Sequence, residues 1–97
     1  MFLGKRIKEI REEKGLLQRQ LAAELEIDSP MYSKIERGER RAKREQVIKL
    51  ADLLETDKDE LLTLWLAGQV NELVKDESTA LKAIEIVKEH LNKQNKR

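Results

Sequence analysis

No cysteine occurs among the 97 residues, which excludes disulfides and thiolate metal centres. Histidine occurs once, as His90. It lies near the end of a charged helical stretch without companions for a metal site, so no metal or other cofactor is expected. Proline occurs once and glycine four times, too little punctuation for a run of strands and hairpins. Aromatic residues are scarce, at 3% of the chain. No apolar run approaches the length of a membrane span. Only Met1, Phe2 and Leu3 form an apolar start before the charges begin, which is not a secretory leader. A cytoplasmic location with no membrane partner is expected. There is no glycine loop of the phosphate-cradling kind and no nucleophile motif. Carboxylates alternate with basic residues, as in Lys8-Glu9 and Lys88-Glu89, the pattern of ordinary surface pairing. The chain is not expected to be an enzyme.

What is present is helical periodicity. Hydrophobic residues make up 39% of the chain and recur three and four apart almost throughout, so an all-α fold follows. Net charge is only +1 and announces no polyanionic partner. The distribution says more. Residues 34–44 hold six basic side chains (Lys34, Arg37, Arg40, Arg41, Lys43, Arg44) against two acidic ones (Glu36, Glu39), a local excess of four. Residues 57–97 hold seven basic and eight acidic residues, close to neutral.

The basic run adjoins the stretch around which the chain is organised, residues 17–38, LQRQLAAELEIDSPMYSKIERG. Leu21 and Leu25 share one helix face, and Tyr32 and Ile35 share another. Ile27 plugs the corner between them, and the small Ala22 lets the helices cross closely. Asp28 or Ser29 caps the second helix, and Pro30 is tolerated in its first turn. The outward positions Ser29, Pro30, Ser33, Lys34 and Arg37 are polar or basic except for the proline. This is the layout of a helix-turn-helix, whose second helix enters the major groove of DNA.

The stretch resembles the Cro/C1-type helix-turn-helix (XRE) family, typified by the lambda repressor and Cro. The matching residues are Arg11, Lys14 and Gly15; then Gln18, Leu21, Ala22 and Leu25; then Ile27; and finally Ile35, Glu36, Arg37 and Gly38. The likeness covers residues 3–64. Two positions depart from it. The turn usually carries glycine where this chain has Glu26, so Glu26 either accepts a left-handed conformation or widens the turn. Pro30 replaces a hydrogen-bonding side chain on the reading helix. The resemblance implies an ion pair between Arg11 and Glu36, structural rather than DNA-contacting.

Helices are expected over residues 3–14, from Gln18, from residues 28–30 to the end of the motif, over 44–54, 59–74 and 79–93. Leu3, Ile7 and Ile10 mark the buried face of the first, with Gly15 as its cap. Val47, Ile48, Leu50, Ala51 and Leu54 are expected to close the core. The fifth helix has apolar material for two faces. Leu61, Leu64 and Trp65 cover the motif, whereas Leu62, Leu66, Val70 and Leu73 lack a partner within it. The sixth, capped at Ser78, has the stripe Ala80, Ala83 or Ile84, Val87 and Leu91, and residues 92–97 are expected to fray.

The expected architecture is a five-helix, lambda repressor-like domain (residues 1–66) with a C-terminal helical extension (67–97). The expected function is a sequence-specific transcriptional regulator binding double-stranded DNA as a homodimer, on a two-fold symmetric operator. Its dimer interface draws on Leu62, Leu66, Val70, Leu73, Ile84, Val87 and Leu91. Base edges are expected to meet Ser29, Pro30, Met31, Ser33 and Lys34. Phosphates are expected to meet Gln18, Arg19, Arg37, Arg40, Arg41, Lys43 and Arg44. Tyr32 is read as core with its hydroxyl at the rim. Chains of this size in the family act as controllers of restriction–modification operons, toward which this reading leans, or as antitoxins that repress their own operon and bind a toxin protein. The rival from another class is a protein-interaction module that no longer reads DNA.

Overall fold

The computed structural model describes residues 2–95. Six helices follow one another: α1 (Phe2–Glu13), α2 (Gln18–Glu24), α3 (Ser29–Glu36), α4 (Arg44–Leu53), α5 (Lys58–Val74) and α6 (Ala80–Asn95). Among the described residues there is no strand, and the fold is all-α as its periodicity requires. α6 runs through Asn92 to Asn95 instead of fraying there; Lys96 and Arg97 lie outside the described residues. No helix is long and apolar enough to cross a membrane.

The first five helices share one core. Leu3, Ile7 and Ile10 of α1 meet Leu21, Ala22 and Leu25 around α2, Tyr32 and Ile35 of α3, Val47, Leu50, Ala51 and Leu54 around α4, and Leu61 of α5. Ile48 is an exception among the expected core residues: it is 39% exposed. Val47, Leu50, Ala51 and Leu54 already fill the inward arc of α4, and Ile48 falls outside it. Ala42, in the loop before α4, is buried instead.

Each of the first four helices ends in the same way. Gly15, Glu26, Gly38 and Glu55 take positive φ, between 52° and 77°. The next residue then donates its amide back across the last turn: Leu16 to the Arg11 carbonyl (3.0 Å), Ile27 to Ala22 (3.0 Å), Glu39 to Lys34 (2.8 Å) and Thr56 to Ala51 (2.9 Å). These are Schellman endings, which satisfy orphan carbonyls and reverse the chain within two residues. Glu26 therefore accepts the left-handed conformation, and the turn between α2 and α3 is not widened.

α1 and α3 are fastened at two points. At Gly4 the chains approach so closely that a Cβ would lie 2.2 Å from the Glu36 carbonyl oxygen and 2.7 Å from that of Ile35. About two turns further along α1, Arg11 meets Glu36. Its Nε lies 2.7 Å from Oε2 and its Nη2 3.1 Å from Oε1, while Nη1 donates to the Leu16 carbonyl at 2.9 Å. The amide of Gln18 adds a third donor to Glu36, at 2.9 Å. Burial works against the Glu36 charge, but the donors from Arg11 and Gln18 outweigh it and hold the carboxyl below its usual range. Tyr32 is fully buried. Its hydroxyl is enclosed without a hydrogen bond of regular geometry and is not at the rim. Burial, and then the Glu36 carboxylate, push its ionisation upward.

Three stability predictions follow, two from these contacts and one from the left-handed turn at Glu26. Arg11→Ala leaves Glu36 buried without its main partner and should cost about 3–5 kcal/mol in urea unfolding. Because the Glu36 carboxyl is depressed in the folded state, its stabilisation is complete above the unfolded value near 4.3 and is lost as pH falls through the lower folded value. Glu36→Gln should accordingly flatten the acid limb of stability against pH. Glu26→Gly should raise stability by about 0.5–1 kcal/mol, since relief of left-handed strain exceeds the added unfolded-state entropy. A lower urea midpoint for this variant would contradict that account.

Candidate nucleic-acid interface

α3 is a short helix held from beneath and capped at its start. The Asp28 carboxylate accepts from the Met31 amide at 2.7 Å, and Pro30 occupies the first turn, where its missing donor costs nothing. Tyr32, Ile35 and Glu36 are buried. That leaves Ser29, Pro30, Lys34 and Arg37 exposed and Met31 and Ser33 half-buried, all on the side away from the core. The residues expected to meet bases thus form one outward row.

The basic loop after α3 is anchored rather than free. Gly38 reverses the chain at φ +77°, and Ala42 is buried beneath. The Trp65 indole Nε1 donates to the Ala42 carbonyl at 2.7 Å, and the Arg44 guanidinium sits 5.2 Å above the Trp65 ring. α5 therefore reaches back to fix the loop, a role that Trp65 shows in the sequence only as one more apolar residue. Arg40, Arg41, Lys43 and Arg44 are all exposed on this fixed backbone. Stacking on Trp65 occupies the face of Arg44 and leaves its edge donors outward.

Besides Arg44, two of the expected phosphate ligands have their polar groups engaged within the chain. The half-buried Gln18 gives its side-chain amide to Glu36, which makes it a member of the cluster that positions α3. Arg37 gives Nε and Nη2 to the Glu39 carboxylate, at 2.7 and 3.4 Å, and Nη1 to the Ser33 hydroxyl. This contact holds the Glu39 carboxyl below its usual range. Ser33, used here as an acceptor, keeps its own proton to donate. Arg19 is exposed near the start of α2.

Of the expected dimer residues, Leu66, Val70, Leu73, Ile84, Val87 and Leu91 are exposed. Leu62 is instead half-buried against the core cluster, because α5 rotates it toward the core boundary. His90 is exposed on α6. Among the described residues no group of acidic, histidine or cysteine side chains is arranged to hold a metal ion.

A helix-turn-helix family model matches residues 7–61, more than half of the chain, from the middle of α1 to the first turn of α5. Neither the curated proteins nor the solved structures give a match. With two helices set by a tight Schellman corner, the second capped and turned outward, the chain belongs to the Cro/C1-type (XRE) helix-turn-helix family of DNA-binding regulators.

Proposed function

We infer that this chain is a sequence-specific transcriptional regulator that acts in the cytoplasm as a homodimer on a two-fold symmetric operator, without catalysis of its own. The observation that carries the reading is the outward row of α3 lying beside four exposed cations, three on an anchored loop and Arg44 at the start of α4. In this proposal the start of α3 enters the major groove. Lys34 meets a guanine edge, Ser29 and Ser33 approach neighbouring bases, and Pro30 or Met31 touches a thymine methyl. Arg19, Arg40, Arg41, Lys43 and Arg44 hold phosphates and set the register. Two copies then read half-sites about 34 Å apart. The biological role we favour is control of a restriction–modification operon, since α5 and α6 suit a dimer extension.

Selection of bound duplexes from a random pool at moderate salt tests the reading directly. A symmetric motif with half-sites about one helical turn apart is the expected result; no enrichment by folded protein would refute DNA reading. On the selected site, Lys34→Ala should relax preference at one base position and cost roughly 1–3 kcal/mol. Arg41→Ala should weaken all sequences alike and flatten the salt dependence by about one unit. Identical sequence profiles for wild type and Lys34→Ala would count against the base contact.

The Arg37–Glu39 contact generates a prediction of opposite sign. A phosphate must displace the Glu39 carboxylate to reach Arg37, and the carboxylate itself repels the DNA. Glu39→Gln should therefore tighten binding several-fold and steepen the salt dependence by about one unit. Anisotropy titrations across a salt series would show this, and unchanged or weaker binding would mean that Arg37 stays off the phosphates.

A further inference from the structure

Three of the four glycines have a local reason. Gly15 and Gly38 carry positive φ at helix ends, and Gly4 lies where α1 crosses the end of α3. Gly68 has no such reason. It sits inside α5 without positive φ, where glycine is the poorest helix former after proline. A Cβ built there would meet no atom within 4 Å, so no neighbour demands the missing side chain. Beside it is open space, a cavity of about 290 Å³.

Three segments enclose this cavity. The start of α1 gives Phe2 and the buried Leu3, and the basic loop gives Arg40 and Arg41. One face of α5 gives Trp65, Gly68 and Gln69, three and four residues apart. The cavity therefore lies behind the loop that Trp65 anchors through the Ala42 carbonyl. Its volume is at the lower edge of ligand sites, which run from roughly 300 to 1,000 Å³, and suits a compact molecule.

The lining charges select the sign of that molecule. Two are carboxylates, and both are answered: Glu39 by Arg37 at 2.7 Å and Glu72 by Lys75 at 2.9 Å. Two are guanidiniums, and among the described residues neither Arg40 nor Arg41 has an ion-pair partner. Guanidinium forks match the plane of a carboxylate. A polyanion would also face Glu39 and Glu72, so a single negative charge suits this lining best. The Trp65 ring, Leu3 and the exposed Phe2 at the edge suit a flat hydrocarbon body.

We propose that the cavity is an effector site for a small aromatic carboxylate, and that its occupant competes with DNA. The carboxylate takes Arg40 and Arg41, and the ring lies along Trp65 in the space that Gly68 leaves. Both arginines hold phosphates in the proposed function, so the competition rests on that reading, whereas the site itself does not. A bound anion withdraws two cations from DNA and adds a negative charge beside the backbone. Ligand and DNA then weaken each other by the same factor.

Naphthoate is the probe, with naphthamide as its neutral counterpart. The chain has one tryptophan, so its indole N–H gives a single signal at the cavity in nitrogen–proton NMR spectra of the full chain. Naphthoate should shift that signal, together with the Gly68 and Arg41 amides, to saturation. The dissociation constant should fall between about 10 µM and 1 mM, the range of so small a ligand. Exchanging the probe for naphthamide, or Arg41→Gln, should weaken binding at least about tenfold. Gly68→Leu fills the space and should abolish binding, with a thermal midpoint by circular dichroism no lower than wild type. In anisotropy titrations, saturating naphthoate should weaken DNA binding at least about tenfold and lower the salt dependence by about two units. Gly68→Leu should bind DNA as wild type does and ignore naphthoate. The site would be overturned by the lack of a saturable shift, by equal binding of naphthamide, or by undiminished binding to Arg41→Gln or to a folded Gly68→Leu. Shifts centred on Val70 and Val87 instead would overturn it too, since they place the probe between α5 and α6. Naphthoate that saturates the cavity yet leaves DNA bound would overturn the competition. A saturating titration of protein that binds no DNA refutes the DNA reading alone.

Discussion

The Arg11–Glu36 pair is the contact on which the arrangement of the motif depends. Helix α3 is only eight residues long, too short to be stable alone, and its direction relative to the rest of the domain is its functional property. Apolar packing supports it but is tolerant of small rotations. A two-pronged guanidinium–carboxylate contact is not, because it fixes both distance and plane. The pair joins α1 to the last residue of α3, Gly4 brings the same two helices together about two turns away along α1, and Gln18 ties in the start of α2. Three helices thus converge on one carboxylate. Burying that charge has its own cost, so the pair is better understood as a device of register than as a source of net stability.

Most of the framework was legible because each local signal agreed with the next. Helical spacing placed the buried faces of α1, α2, α3 and α4, and the caps at Asp28 and Gly15 lay where side-chain chemistry requires them. Where legibility failed, the cause was specific. Ile48 is as apolar as its neighbours, and nothing in its spacing says that the inward arc of α4 is already full. Glu55 carries no sign of a left-handed backbone, since glycine advertises it, and Glu26 is marked only by the glycine that the family carries at its position; the need for a chain reversal within two residues forces it on both. Gly4 reads as a weak helix residue until the close crossing of α1 over the end of α3 is known.

The interface was legible by position and less so by partnership. Polarity alone placed Ser29, Ser33, Lys34 and Arg37 on the outer row of α3. It did not show that Arg37 is held by Glu39, two residues away across the Gly38 turn, because that pairing needs the turn's geometry and not helical spacing. Gln18 was visible as a helix start, but its amide goes inward to a charge eighteen residues later. Tyr32 read as core with its hydroxyl at the rim, but the whole side chain, hydroxyl included, is enclosed. The anchoring of the basic loop by Trp65 joins residues 23 positions apart, a distance over which no periodic pattern extends.

The charge balance and the C-terminal helices belong to one argument. A net charge of +1 gives no long-range attraction to DNA, so affinity has to come from the few cations on the loop and α3. In the proposed complex each phosphate contact would contribute through counterion release, and four or five of them on one copy would make a weak, salt-sensitive grip. Adding cations would strengthen binding to every sequence equally and erode discrimination. Joining two copies strengthens binding only where two half-sites occur at the right separation, so affinity rises together with specificity. If the chain acts as the proposed dimer, the apolar faces of α5 and α6 would be the counterpart of the restrained surface charge, and the Glu39 carboxylate paired with Arg37 would serve the same end.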